Sequence, residues 1–120
     1  MADRISHEDY VRLCRDRAAE IASAVLRGEV PILLAPRMLA SALADSDVPR
    51  DDTDFVAFRM IDSEIDALPI GEERSLWSPE ALERLAPEID AATRWAAPLV
   101  RASCESIVHK FGRAGPGGVV

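Results

Sequence analysis

The sequence predicts an all-α fold, a single-domain antiparallel bundle of four to five helices with a disordered C-terminal tail. Three observations carry that prediction. Apolar residues recur at three- and four-residue spacing along most of the chain, and period-two alternation is absent over any useful length. The 120 residues are 48% hydrophobic but only 5% aromatic, so the core must be built mostly from Ala, Leu, Ile and Val. Ala loses no side-chain entropy in a helix, which favours that state. Cap and stop residues then punctuate the apolar stripes. One core is expected at this length. It spans residues 1–111, and the Gly- and Pro-rich 112–120 read as a flexible tail.

The first helix starts at Ser6, which precedes His7-Glu8-Asp9 as an N-cap with acids in the first turn. Tyr10, Leu13, Cys14, Ala18, Ile21, Ala22 and Val25 form its apolar stripe, and Gly28 stops it. A second helix tolerates Pro36 in its first turn and buries Leu39, Leu43 and either Leu34 or Ala35. The polar run Asp45–Asp52 is a loop. Thr53 or Asp52 caps a third helix, whose stripe Phe55, Phe58, Ile61, Ile65 and Leu68 runs to Pro69 and Gly71. Ser78-Pro79-Glu80 starts a fourth helix, kept short by Pro87. A last helix follows from Pro87 to Phe111 on the stripe Ile89, Ala92, Ala96, Leu99, Val100, Ile107, Val108 and Phe111, with Pro98 either kinking it or dividing it in two. The first, third and last helices are expected to form the bundle, with the second and fourth capping its ends.

Charge is distributed unevenly. Residues 1–44 are neutral, 45–90 carry −10 and 91–120 carry +3, for a net −7. An acidic middle argues against nucleic-acid binding, which needs a clustered positive face. It suits a basic protein partner steered in by the field, or simply a solvated surface. The cysteines Cys14 and Cys104 have no CxxC spacing, and His7 and His109 lie at no metal-ligand spacing from them. Buried free thiols in a reducing cytoplasm are expected, with no metal and no cofactor. No apolar run approaches a membrane span and no leader pattern opens the chain, so a cytoplasmic protein away from the membrane is expected.

No catalytic signature emerges. Ser63, Ser75, Ser78 and Ser103 lack a glycine-framed elbow. Cys104 has only His109 as a base, one turn on along the same helix. Glu105 and His109 are spaced i,i+4 rather than as the Glu-x-x-His of di-metal bundles. The densest constellation is Asp62–Trp77. Asp62 and Asp66 sit at the end of the third helix, where the dipole disfavours acids, and Arg74 is the expected guanidinium to bridge them. Trp77 is expected to cover the pair. Asp62, Glu64, Asp66, Arg74 and Trp77 are therefore a candidate cluster, read either as a locked corner or as a binding site.

The run Asp54-Phe55-x-x-Phe58-x-x-Ile61-Asp62-Ser63-Glu64-x-Asp66-x-Leu68-Pro69-x-Gly71-x-x-Arg74-x-x-Trp77 resembles a group of short bacterial proteins classed as a domain of unknown function. The likeness extends from the first helix, through Arg37-x-Leu39, to near Phe111, with Leu85-Ala86 standing where such proteins carry polar cap-like residues. It implies a small cytoplasmic protein and transfers no catalytic residue. The leading expectation is a non-enzymatic protein-interaction domain, in a specific version an immunity-type inhibitor of a basic partner. The alternatives are a small-molecule-binding protein or enzyme using the 62–77 cluster, and a homodimer through Ile32-Leu33-Leu34.

Overall fold

The computed structural model describes residues 6–112; the expected tail, from 113 on, lies outside them. Four α-helices and one 3-10 helix follow in order: α1 (His7–Leu26), α2 (Ala35–Ala44), α3 (Thr53–Glu64), η1 (Gly71–Leu76) and α4 (Pro79–Phe111). The all-α bundle is as the sequence predicts. α1 packs on α2 and α4, and α3 packs on the same two helices, which closes a ring of four. His7 and Tyr10 at the start of α1 meet Asp47 and Asp45 just past α2. Arg37 at the start of α2 meets Asp62 at the end of α3, and Lys110 at the end of α4 meets Asp52 and Asp54 at the start of α3. Neighbours therefore run antiparallel. The second helix is thus a full member of the bundle and not an end cap.

Local signals account for most of the boundaries. Ser6 accepts from the Asp9 N–H, Asp52 from the Phe55 N–H and Ser78 from the Ala81 N–H, each satisfying a donor that a helix start leaves unpaired. Gly28 lies past the end of α1 with φ +80°, the left-handed geometry that a side chain resists. α3 ends at Glu64, one turn before Pro69, yet Ile65 stays buried in the turn that follows.

The core gathers Ala18, Ile21, Ala22 and Val25 of α1, Leu39 and Leu43 of α2, Phe58 and Ile61 of α3, and Val100, Cys104 and Ile107 of α4. Each large aliphatic or aromatic member contributes about 1.5–3 kcal/mol by leaving water. The first half of the α1 stripe is corrected: Val11 is buried, whereas Tyr10 and Leu13 are exposed and Cys14 is half-buried. Leu99 of the α4 stripe is exposed as well.

The largest correction concerns the prolines. Pro87 sets no boundary and Pro98 no break; α4 is a single helix of 33 residues containing both. Each removes one N–H, leaving the carbonyls of Glu83 and Arg94 without their helical donors. Both prolines and both freed residues are exposed, so water can serve those carbonyls. Eleven residues make about three helical turns, so the two prolines share one solvent-facing flank. Before Ala96 no residue of α4 is buried; from there Ala96, Val100, Ser103, Cys104 and Ile107 are. The first half of α4 therefore overhangs the bundle. Pro98→Ala should restore the donor for Arg94 and raise the unfolding free energy by about 1–3 kcal/mol, read as a higher urea midpoint. A lower midpoint would show that packing requires the proline.

Candidate functional site

Two ion-pair networks tie the helices together, and they differ in kind. At one end, Lys110 Nζ lies 2.9 Å from Asp54 Oδ2 and 3.1 Å from Asp52 Oδ1, and Ser106 Oγ donates to Asp54 Oδ2 at 2.6 Å. A cation at the end of α4 and acids at the start of α3 are where helix dipoles favour them. Burial opposes the charge on Lys110, but Asp54 and Asp52 outweigh it and raise the pKa. Burial likewise opposes ionisation of Asp52, and the Phe55 N–H and Lys110 overcome it, lowering the pKa.

The other end carries charges on the wrong dipole ends. Arg37 stands in the first turn of α2 and Asp62 in the last turn of α3, each disfavoured by its own helix. They meet each other: Arg37 Nε lies 3.4 Å from Asp62 Oδ1. Arg37 Nη1 donates to Glu73 Oε1 of η1 at 2.6 Å. The Glu73 hydrogen bond, together with both carboxylate charges, raises the Arg37 pKa against the opposing effect of burial. Asp62 Oδ1 is itself buried and accepts no hydrogen bond among the described residues, so its compensation is the charge of Arg37. One guanidinium thus joins α2, α3 and η1, a planar fork suited to two carboxylates. Gly71, φ +75°, opens η1, where a Cβ would meet Leu34 Cδ1 at 3.3 Å.

The expected cluster is therefore arranged differently. Asp62 is at the corner, but the arginine facing it is Arg37, from the preceding helix. Glu64, Asp66 and Arg74 are exposed, and no ion pair among the described residues involves them. Trp77 is 40% exposed and covers no ion pair; Leu76 beside it is 85% exposed. Glu72, Arg74, Trp77 and Leu82 line one shallow concavity on the outer side of η1. On the inner side Arg74 and Ile70 line a second concavity of about 540 Å³ together with the 31–34 turn, Ile89 and Thr93. Leu33 is buried and Ile32 and Leu34 pack against the core, so that strip is largely covered within the chain.

Arg37 and Leu76 were not legible as site residues. A signal for Arg37 did exist: a cation directly after Pro36, in a first helical turn, is as misplaced as Asp62 and needs a carboxylate. Nothing in the pattern marks Leu76.

Nucleophile chemistry gains no footing. Cys104 is fully buried, and burial first, then Asp54 and Glu105, push its thiol up to about 12, so it stays protonated near neutrality. Its expected base His109 is exposed. Tyr10 is also pushed up to about 12, chiefly by its 2.8 Å hydrogen bond to Asp45, but at an exposed position. Among the described residues no group of three or more His, Cys, Asp or Glu side chains is placed to hold a metal ion, and no helix is long and apolar enough to cross a membrane.

Comparison with protein-family models, curated proteins and solved structures finds no match.

Arg37→Ala should destabilise the fold by about 1–2 kcal/mol, because it strands the buried Asp62 oxygen as well as removing half-exposed pairs. Arg74→Ala should change stability by less than about 0.5 kcal/mol. Urea unfolding of both variants checks the contrast, and the reverse ranking would refute the assignment of the corner to Arg37.

Proposed function

We propose that this chain is a non-enzymatic interaction domain for a basic protein, and that η1 with the start of α4 is its contact surface. The observation that carries the reading is the exposure of Leu76 and Trp77, side by side, on a segment that buries none of its own residues. Leu76 forgoes most of a burial worth about 1.5–3 kcal/mol, and Trp77 forgoes a smaller part of its own. Covered by a partner, tryptophan is a residue type that concentrates binding energy, and the leucine beside it adds apolar area to be buried.

Charge selects the partner. Glu64, Asp66, Glu72, Glu80 and Glu83 flank the pair in sequence, are exposed, form no ion pair among the described residues, and outnumber the equally exposed and unpaired Arg74 and Arg84 of the same stretch. Unpaired carboxylates around an apolar centre favour a cationic partner, speed its encounter and disfavour nucleic acid. The specific version is an immunity-type inhibitor, which would neutralise a basic toxin by covering its cationic face. It fits a small chain of net charge −7. The resemblance to short bacterial proteins of unknown function is compatible with this role and assigns no other.

The immobilised protein should retain a basic protein from its native host at low salt and release it at high salt. Trp77→Ala combined with Leu76→Glu should weaken that retention at least about tenfold, in the range of a lost hot spot, while leaving the melting temperature unchanged. Absence of any salt-sensitive partner, or retention indifferent to the double variant, would overturn the proposal.

A further inference from the structure

The concavity on the inner side of η1 has a chemistry separate from the contact surface outside it. It lies where the cover over α4 thins: Ile89 and Thr93 are only half-buried where Ala96, one turn on, is fully buried. The space left, about 540 Å³, is within the range of small-ligand pockets. Its walls are aliphatic, with Ile32 and Leu34 from the α1–α2 connector, Ile70 before η1, and Ile89 from α4.

Side-chain polar capacity in this cleft is confined to the Arg74 guanidinium and the acceptor lone pairs of Thr93. Arg74 is the single charged residue lining it. The Thr93 hydroxyl donates to the Ile89 carbonyl at 2.8 Å, so its proton is already used. Arg74 has no carboxylate partner among the described residues: the adjacent Glu73 is held by Arg37, and Glu72, which lines the outer concavity together with Arg74, forms no ion pair with it.

We propose that this cleft binds a small aliphatic monocarboxylate, with the carboxylate on the Arg74 guanidinium and the hydrocarbon chain against Ile32, Leu34, Ile70 and Ile89. One planar cation at the rim matches one carboxylate in fork geometry. Sugars and nucleotides fit poorly, because Arg74 and the Thr93 oxygen can serve only a few of their polar groups and the rest would lie against aliphatic walls. A cationic amphiphile is repelled at the rim. The Arg74 side chain makes no hydrogen bond or ion pair among the described residues, so its role here is separable from that of Arg37.

The test is titration of the methyl-labelled full-length protein at neutral pH with octanoate, octanol and octylammonium, followed by NMR. Octanoate should give saturable shifts at the Ile32, Ile70 and Ile89 methyls, with octanol binding at least about tenfold more weakly, in line with the loss of a charge-assisted hydrogen bond. Arg74→Ala should weaken octanoate by a similar factor without changing octanol, and Arg74→Lys should recover part of it. Equal affinity for octanoate and octanol, octanoate binding unaltered in Arg74→Ala, or no saturable shift at those methyls would each overturn the proposal. Trp77→Ala with Leu76→Glu should leave octanoate binding intact, which separates failure here from failure of the protein-binding role.

Discussion

The structure follows from a mismatch in helix length. At about 1.5 Å per residue α4 is about 50 Å long, whereas α1 is about 30 Å, α3 about 18 Å and α2 about 15 Å. Three short helices cannot cover one long one. They cover its second half, where Ala96, Val100, Cys104 and Ile107 are fully buried, and leave the first half with no buried residue. The cleft beneath Ile89, the exposed Trp95 and the uncovered segment leading into Pro79 all follow from that overhang. A half-helix that meets the core only through partly buried residues such as Ile89 and Ala92 needs strong local reasons to persist. Ser78 caps its start, Pro79 fits its first position, and the interior prolines sit where freed carbonyls meet water.

Electrostatics then divides the bundle into two ends. At the Lys110 end, charge and dipole agree, and Asp52, Asp54 and Ser106 form a compact network against α4. At the Arg37 end two charges sit on the wrong dipole ends and offset each other, while Glu73 draws η1 into the same contact. That second arrangement positions the surface segment. With Glu73 held, the side chains on either side of it in η1, Glu72 and Arg74, are left for other partners. The protein-binding and carboxylate-binding proposals both draw on this division of labour among three adjacent residues.

The sequence made the helices legible wherever a cap and a stripe coincided, as at Ser6, Asp52 and Ser78. It misled at Pro87, because a proline in isolation reads as a boundary, and only the exposure of Glu83 shows why the helix tolerates it. Periodicity placed Leu13 and Leu99 in the core, since spacing fixes a face but not how much of that face a neighbour covers. The corner at Asp62 was visible as an electrostatic problem, and its solution was assigned to the nearest arginine in sequence. Arg37 lies 25 positions upstream of Asp62, and only the antiparallel pairing of α2 with α3 brings it there. Side-chain periodicity carries no information about such a long-range partner.

The central claim is that α4 continues unbroken from the covered half into the overhang. Spin labels at Glu80→Cys and Glu105→Cys, in a Cys14→Ser background, address it directly by double electron–electron resonance. The two positions are 25 residues apart within α4, which corresponds to about 37 Å along the axis at about 1.5 Å per residue. A single narrow distance distribution near that value is predicted for the native protein. A broad or two-component distribution shifted well below it would mean that Pro87 or Pro98 breaks the helix, and the account of the overhang, its cleft and its exposed segment would be contradicted.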